Sequence, residues 1–230
     1  MRPDRIEQML RTIEQECHFT GNATGRSSLR PVVMEAMASV PRDDFVPSEL
    51  KHRAFDNGAL PIGEGQTISQ PFIVALMTDL LEPQPDHTIL EIGTGCGYQA
   101  AVLSCLVKQV ISIEIIPHLA NLAAERLQRL GYRNVQVMSG DGYQGLPEQA
   151  PFDGIIVTAA ASHVPAPLFK QLKPGGNLVI PVGLPYMHQE LLVVSKDRSG
   201  QRHTRSALPV IFVPLTRNRE TGGEPADNTI

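Results

Sequence analysis

Apolar residues along this chain fall into short unbroken runs separated by segments with three- and four-residue spacing. That pattern predicts strands buried on both faces between packing helices. The strand-like runs are Ile89–Ile92, Gln109–Glu114, Asn134–Met138, Phe152–Thr158 and Asn177–Val182, with two later ones at Glu190–Ser195 and Ala207–Leu215. Helical spacing appears over residues 4–17 (Ile6, Met9, Leu10, Ile13), Val32–Val40, Phe72–Leu81, residues 117–129 and Val164–Leu172. Pro41 stops the second of these, and Gly131 fits the C-terminal cap of the fourth. Thr20–Ser28 reads as a loop, Lys173-Pro-Gly-Gly176 as a turn, and Arg217–Ile230 as a mobile polar tail. The alternation predicts one α/β domain: a doubly wound, mostly parallel sheet of about seven strands that finishes with an antiparallel pair. Residues 1–85 should form a helical cap over one end of the sheet, residues 86–216 the ligand-binding core, and 217–230 the tail.

The run Ile89–Ile92 leads into Gly93, Gly95 and Gly97, and Ala100, Ala101, Val102, Leu103 and Leu106 follow with a helical character. Strand, glycine turn and helix open a nucleotide-binding α/β domain, where glycines allow a tight turn and close approach of a ligand. The spacing is G-x-G-x-G, not the G-x-G-x-x-G of dinucleotide sites, and Glu91 stands two residues before the first glycine. A carboxylate there repels a pyrophosphate and suits a ligand with a cationic end. The order E-x-G-x-G-x-G looks like the first motif of S-adenosylmethionine-dependent methyltransferases, whose cofactor carries an ammonium and a sulfonium. An NAD site and a ligand-free turn are the alternatives. Glu114 follows about 20 residues after the first glycine, where a carboxylate accepts hydrogen bonds from a ribose diol of either cofactor. Asp141, in Ser139-Gly-Asp-Gly142, is placed to accept from an adenine amino group or simply to make an Asp-Gly turn.

A second informative stretch is Ala54–Pro71, where Gly58, Pro61, Gly63 and Gly65 predict a long irregular loop of the kind that carries function. Ser69 precedes Pro71 and the apolar helix, so its local reading is a helix N-cap. Phe45 and Val46, inside Val40-Pro-Arg-Asp-Asp-Phe-Val-Pro47, should be buried.

Composition narrows the classes. Hydrophobic residues make up 42% and charged residues 19% of the 230 residues, ordinary for a globular protein, and the net charge of −4 disfavours a nucleic-acid backbone as the main partner. Cys17, Cys96 and Cys105 form no C-x-x-C pair, so no metal site or disulfide framework is expected, and Cys96 reads as a small structural residue in the turn. The charged Met1–Glu7 segment does not resemble a signal peptide, and no run approaches the roughly 18 apolar residues of a membrane span. The expectation is a cytoplasmic monomer without a membrane partner.

Several motifs together resemble one family. Val-Pro-Arg-x-x-Phe-Val-Pro at 40–47 and Leu-Pro-Ile-Gly-x-Gly-Gln-Thr-Ile-Ser-Gln-Pro at 60–71 are similar to protein-L-isoaspartate O-methyltransferases. So are Glu-Ile-Gly-Thr-Gly-x-Gly-Tyr-Gln-Ala-Ala at 91–101, Gly-Asp-Gly at 140–142 and Phe-Asp-x-Ile-Ile-Val-Thr-Ala-Ala at 152–160. The resemblance implies a Rossmann-like methyltransferase sheet. It implies methyl transfer from S-adenosylmethionine to the free carboxylate of L-isoaspartyl residues in damaged proteins and peptides, and repair through a methyl ester and succinimide. It implies that Glu91, Gly93, Thr94, Gly95, Gly97, Glu114, Asp141 and Gly142 hold the cofactor. Ser69 would orient the acceptor carboxylate without acting as a nucleophile, and Asp56, Ile62, Thr67, Ile68, Thr158, Ala159 and Ala160 would meet the substrate, the Thr158 loop through its backbone. His163 reads as an exposed loop residue. A carboxylate of pKa about 4 is already ionised at neutral pH, so no general base is needed. Two departures stand out: Ile211 where many bacterial members carry Arg before Phe-Val-Pro-Leu, expected to affect local packing, and Cys96 in place of a common Ser. A nucleic-acid methyltransferase is disfavoured because Thr158-Ala-Ala-Ala161 replaces an Asp/Asn-Pro-Pro-Tyr motif and no Pro-Cys dipeptide occurs. A dehydrogenase and a non-catalytic binding module are the remaining rivals.

Overall fold

A computed structural model describes residues 2–185 and 187–217. The chain opens with helices α1 (Arg2–Thr24) and α2 (Pro31–Ser39), then a hairpin of β1 (Leu60–Gly63) and β2 (Gln66–Ile68), then helix α3 (Pro71–Leu81). The core follows as β3 (Thr88–Ile92), α4 (Tyr98–Ser104), β4 (Gln109–Glu114), α5 (Pro117–Leu130), β5 (Val135–Ser139), β6 (Phe152–Val157), α6 (Ala166–Gln171), β7 (Leu172–Gly183), β8 (Gln189–Lys196) and β9 (Arg202–Val210). The seven-stranded sheet has the order β5-β4-β3-β6-β7-β8-β9, parallel from β5 to β7, with β8 and β9 antiparallel. The order turns back between β3 and β6, so the crevice for a ligand opens at their C-terminal ends.

Side-chain alternation divides the sheet into two cores. Ile89, Val110, Ile156, Val179 and Leu191 face α1–α4, while Leu90, Ile92, Ile111, Ile155 and Ile180 pack on the other face. Helix α3 is buried over all eleven of its residues, as its nearly continuous apolar sequence requires. It lies between α1 and α2 on one side and β6 and β7 on the other, and α1 also reaches β9. The N-terminal helices therefore cover a sheet face, while the β1–β2 hairpin lies over the end of the sheet that carries the glycine turn. Among the described residues no helix is long and apolar enough to cross a membrane.

Four local expectations are corrected. Helix α1 continues through Thr24 because Thr20 and Thr24 donate their hydroxyls to the carbonyls of Glu16 (2.8 Å) and Thr20 (3.1 Å). The 60–68 stretch is an antiparallel hairpin, since Glu64 and Gly65 take the positive φ values (52° and 69°) that a two-residue turn needs. Lys173–Gly176 lies inside β7 as an irregularity in its pairing with β6, where Gly176 leaves room for the Asp153 carbonyl. The last strand ends at Val210, earlier than expected. Of the proposed tail, Arg217 stacks over Tyr143, 4.0 Å from the ring centre, and residues 218–230 lie outside the described residues.

Asp79 anchors α3. Its carboxylate, 1% exposed, accepts from the Arg30 amide (2.9 Å) and ion-pairs with the Arg30 and Arg26 guanidiniums, each at 3.0 Å. Asp79→Asn would leave both arginines facing an uncharged group and should cost about 2–3 kcal/mol, lowering the melting temperature by roughly 5–10 °C. An unchanged melting temperature would show that the cluster is neutral for stability.

Candidate active site

The crevice is built on the glycine turn. Gly93, Gly95 and Gly97 all have left-handed φ values of 94°, 54° and 89°. A Cβ on Gly93 would lie 2.5 Å from Thr158 Oγ1, and one on Gly142 would lie 2.2 Å from Ile92 Cγ2, so these positions exclude a side chain. Thr158 closes the turn from the end of β6: its amide donates to the Ile92 carbonyl (2.9 Å) and its hydroxyl to the Gly93 carbonyl (2.6 Å). Glu114, at the end of β4, accepts from the Gly95 amide (2.8 Å) on one oxygen and the Ile116 amide (3.0 Å) on the other. Each oxygen keeps a further lone pair for a ligand hydroxyl.

Two narrow clefts flank the turn. The one beside Glu114 has a volume of about 50 Å³ and is walled by Gln66 and Thr67 on one side and Val213–Thr216 on the other, with Gly142 and Ala159 also contributing. The second, about 40 Å³, runs past Ser69, Ile68, Cys96 and Tyr98. A wider groove of about 590 Å³ opens next to them, bounded by Ser69, Gln70, Ile73 and Val210–Val213 and, from α1, by Glu16 and Thr20. Thr67 and Thr158 line all three spaces, and Ser69 borders the groove and the smaller cleft. The three spaces therefore meet at Thr67 and Thr158, with Ser69 between the groove and the smaller cleft.

Ser69 does not cap α3. Gln70 holds the N-cap position, and the Phe72 amide is satisfied instead by Asn57 Oδ1 from the preceding loop (3.2 Å). No side-chain partner of the Ser69 hydroxyl occurs among the described residues, which leaves it available at the groove wall. Its carbonyl accepts from Arg42 (2.8 Å), a fully buried arginine that also donates to the carbonyls of Ala54 and Gly58 (3.1 Å to the latter). Burial pushes the Arg42 pKa down, and no carboxylate pairs with it among the described residues.

Other expected residues are placed differently. Glu91 lies beneath the turn and not on a cleft wall; it is fully buried, opposite Ser112 on β4, which donates to it at 2.5 Å and in turn bonds the Thr94 hydroxyl (2.6 Å). Desolvation raises the Glu91 pKa to about 8, which favours the neutral carboxyl at pH 7. Asp141 accepts from the Tyr143 amide (2.9 Å) and borders none of the three spaces, whereas the adjoining Gly142 does. Asp56 is exposed and pairs with Arg53 (3.4 Å), away from the groove; its neighbour Asn57 is the residue that reaches α3. Ile62 lies over Gly95, 3.3 Å from where a Cβ would stand. The Ala160 amide and carbonyl are both taken by Val213 and Leu215 (2.8 Å each), so Ala160 holds the 213–215 segment and has no free backbone group for an extended substrate. Ile211, 85% exposed, stands on the groove rim and makes no packing contribution of the kind expected for it. Cys96 is buried and its thiol pKa raised by desolvation, which makes it unreactive. His163 is exposed beside Ser162 (3.0 Å). Among the described residues no group of three or more His, Cys, Asp or Glu is arranged to hold a metal.

The chain belongs to the protein-L-isoaspartate(D-aspartate) O-methyltransferase family, whose model matches residues 22–220. It is 58% identical over 209 residues to protein-L-isoaspartate O-methyltransferase 2 of Syntrophobacter fumaroxidans, covering 91% of this chain and 85% of that one. It is 55% identical to protein-L-isoaspartate O-methyltransferase 2 of a Polaromonas strain, over 92% of this chain and all of the relative. A solved protein-L-isoaspartate O-methyltransferase superposes with a TM-score of 0.79 at 28% identity; it covers 92% of this chain, which spans 66% of that longer one. The fold is also shared, with a TM-score of 0.73 at 24% identity over 90% of this chain and 98% of the other, by a Plasmodium falciparum protein solved in complex with S-adenosyl-L-homocysteine.

Two predictions follow from the geometry. Because the folded pKa of Glu91 lies above its ordinary value, its favourable contribution is complete below pH 4.5 and is lost as pH rises through about 8. Glu91→Gln should flatten that decline in thermal melts of the cofactor-free protein; an unchanged pH profile would assign the slope to other groups. Arg42→Lys keeps the charge but cannot serve three carbonyls in the same fork, and should cost about 2 kcal/mol and speed amide exchange in residues 54–69. Wild-type exchange rates there would show that Arg42 is not the clasp.

Proposed function

We propose that this chain methylates the free carboxylate of L-isoaspartyl residues in damaged proteins and peptides, using S-adenosylmethionine, and so starts their repair through a methyl ester and succinimide. The observation that carries this reading is the junction at Thr67, Ser69 and Thr158, where the glycine-turn clefts open onto the wider groove.

The residues present fit the cofactor. Side-chain-free Gly93 and Gly95 allow close approach, and Gly142 adds a third bare surface on the facing wall. Glu114, already oriented by two backbone amides, has lone pairs to receive a ribose diol. Thr94 lines the smaller cleft and ties the turn to Ser112, and Gly97 acts indirectly by letting α4 pack on Leu127. The cleft beside Glu114 is narrow, with Gln66–Thr67 and Val213–Thr216 as its side walls. When bound, the cofactor supplies an electrophilic methyl group on a positively charged sulfur.

The chain's own residues then have a positioning task. Among the described residues no Lys or Arg lines the groove and Glu16 is its one carboxylate, so the donor offered to an acceptor carboxylate is the neutral Ser69 hydroxyl, beside the positive end of α3. A carboxylate needs no deprotonation at neutral pH, so the transfer calls for no general base. Alignment of oxygen and methyl can contribute on the order of 7–11 kcal/mol, and holding the carboxylate is where Ser69 would contribute.

The test uses two peptides of one sequence, containing either L-isoaspartate or L-aspartate, with S-adenosylhomocysteine and base-labile methyl ester as readouts. Turnover is expected with the isoaspartyl peptide alone. Ser69→Ala should lower kcat by roughly 10- to 100-fold, the loss of one hydrogen bond to a charged group. If both peptides stay inert while S-adenosylmethionine binds, the acceptor is of another class.

A further inference from the structure

Helix α1 supplies one wall of the groove proposed for the acceptor, through Glu16 and Thr20. The Glu16 carboxylate receives a long hydrogen bond from Asn57 Nδ2 (3.4 Å), and the same Asn57 holds the Phe72 amide at the start of α3 (3.2 Å). Glu16 is thereby held next to the helix terminus that follows Ser69. It is partly exposed, and its second oxygen has no hydrogen-bond partner among the described residues.

The charge balance of the groove is one-sided. Among its described lining residues Glu16 is the single carboxylate, no Lys or Arg is present, and the exposed His188 faces Glu190 outside it (2.6 Å). The remaining wall is apolar or neutral, with Met187 (63% exposed) and Ile211 (85%) on the rim. An acceptor chain lying here brings its flanking side chains against that acid. A lysine or arginine finds an opposite charge in a partly desolvated groove, and an aspartate or glutamate finds a like one with no cation to offset it.

We propose that Glu16 makes this enzyme select isoaspartyl sites with a basic residue beside them and discriminate against sites in acidic sequence. The inference rests on the methyl-transfer reading above and adds a sequence preference to it.

The experiment compares isoaspartyl peptides carrying Lys, norleucine or Glu immediately before or after the isoaspartate, with wild-type protein and Glu16→Gln. Glutamine keeps an oxygen for Asn57, so the fold is preserved while the charge is removed. With wild type at low salt, kcat/KM for Lys should exceed that for norleucine by about fivefold and that for Glu by roughly tenfold, shrinking as salt is added. In Glu16→Gln the ratios should collapse toward one. Turnover of the norleucine peptide with no flank preference in wild type, or with ratios that survive in Glu16→Gln, would overturn the assignment and leave methyl transfer intact. No turnover of the norleucine peptide would overturn the methyl-transfer reading and this inference with it.

Discussion

A buried arginine that no carboxylate contacts directly among the described residues holds the acceptor side of this protein together. Taking a guanidinium out of water is expensive, and a carboxylate is the usual compensation. Here the compensation comes from three main-chain carbonyls, on Ala54, Gly58 and Ser69, with the Tyr98 ring 5.7 Å away. Those carbonyls belong to a stretch with little regular structure of its own, whose orphan acceptors need a donor. Arg42 satisfies them together and so fixes where Ser69 leaves the hairpin and α3 begins. Tyr98 is the first residue of α4, directly after the glycine turn, so the same guanidinium also touches the cofactor side.

The opposite side is secured by hydrogen bonds that close back on the sheet. Thr158 ties the glycine turn to β6, Glu114 ties it to β4, and Ala160 pairs with residues 213–215 to bring the chain's return segment over the cleft. The cleft beside Glu114 lies between the 66–67 edge of the hairpin and the 213–216 segment, neither of which belongs to the central sheet.

What was legible in the sequence follows the strength of the local signal. The five parallel strands and the glycine turn were readable because strands covered on both faces give uninterrupted apolar runs, and left-handed turns demand glycine. The hairpin at 60–68 was read as loop because its strands are short and its glycines look the same in a loop or a tight turn. Ser69 read as an N-cap because proline follows two residues later; only the three-dimensional path of Asn57 shows that α3 is capped from elsewhere. Glu91 was expected to act through its charge, but a carboxyl at the base of the turn, opposite Ser112 and out of water, is pushed toward its neutral form. Arg42 stood inside a recognised motif with no role, since nothing local marks an arginine as bound to carbonyls 12, 16 and 27 residues away.

Among the described residues no Lys or Arg lines the groove, which for the acceptor proposed here favours discrimination by position over attraction by charge. An isoaspartyl site differs from an ordinary aspartyl one in where the free carboxylate sits relative to the main chain, not in charge. A lysine or arginine in the groove would attract either carboxylate over several ångströms and reward both. A hydroxyl such as that of Ser69 acts only at hydrogen-bond range, so a carboxylate displaced by one bond loses the contact. Discrimination by reach requires that the donor be held still. That places the burden on Arg42, which fixes the Ser69 carbonyl, and on Asn57, which fixes the first turn of α3.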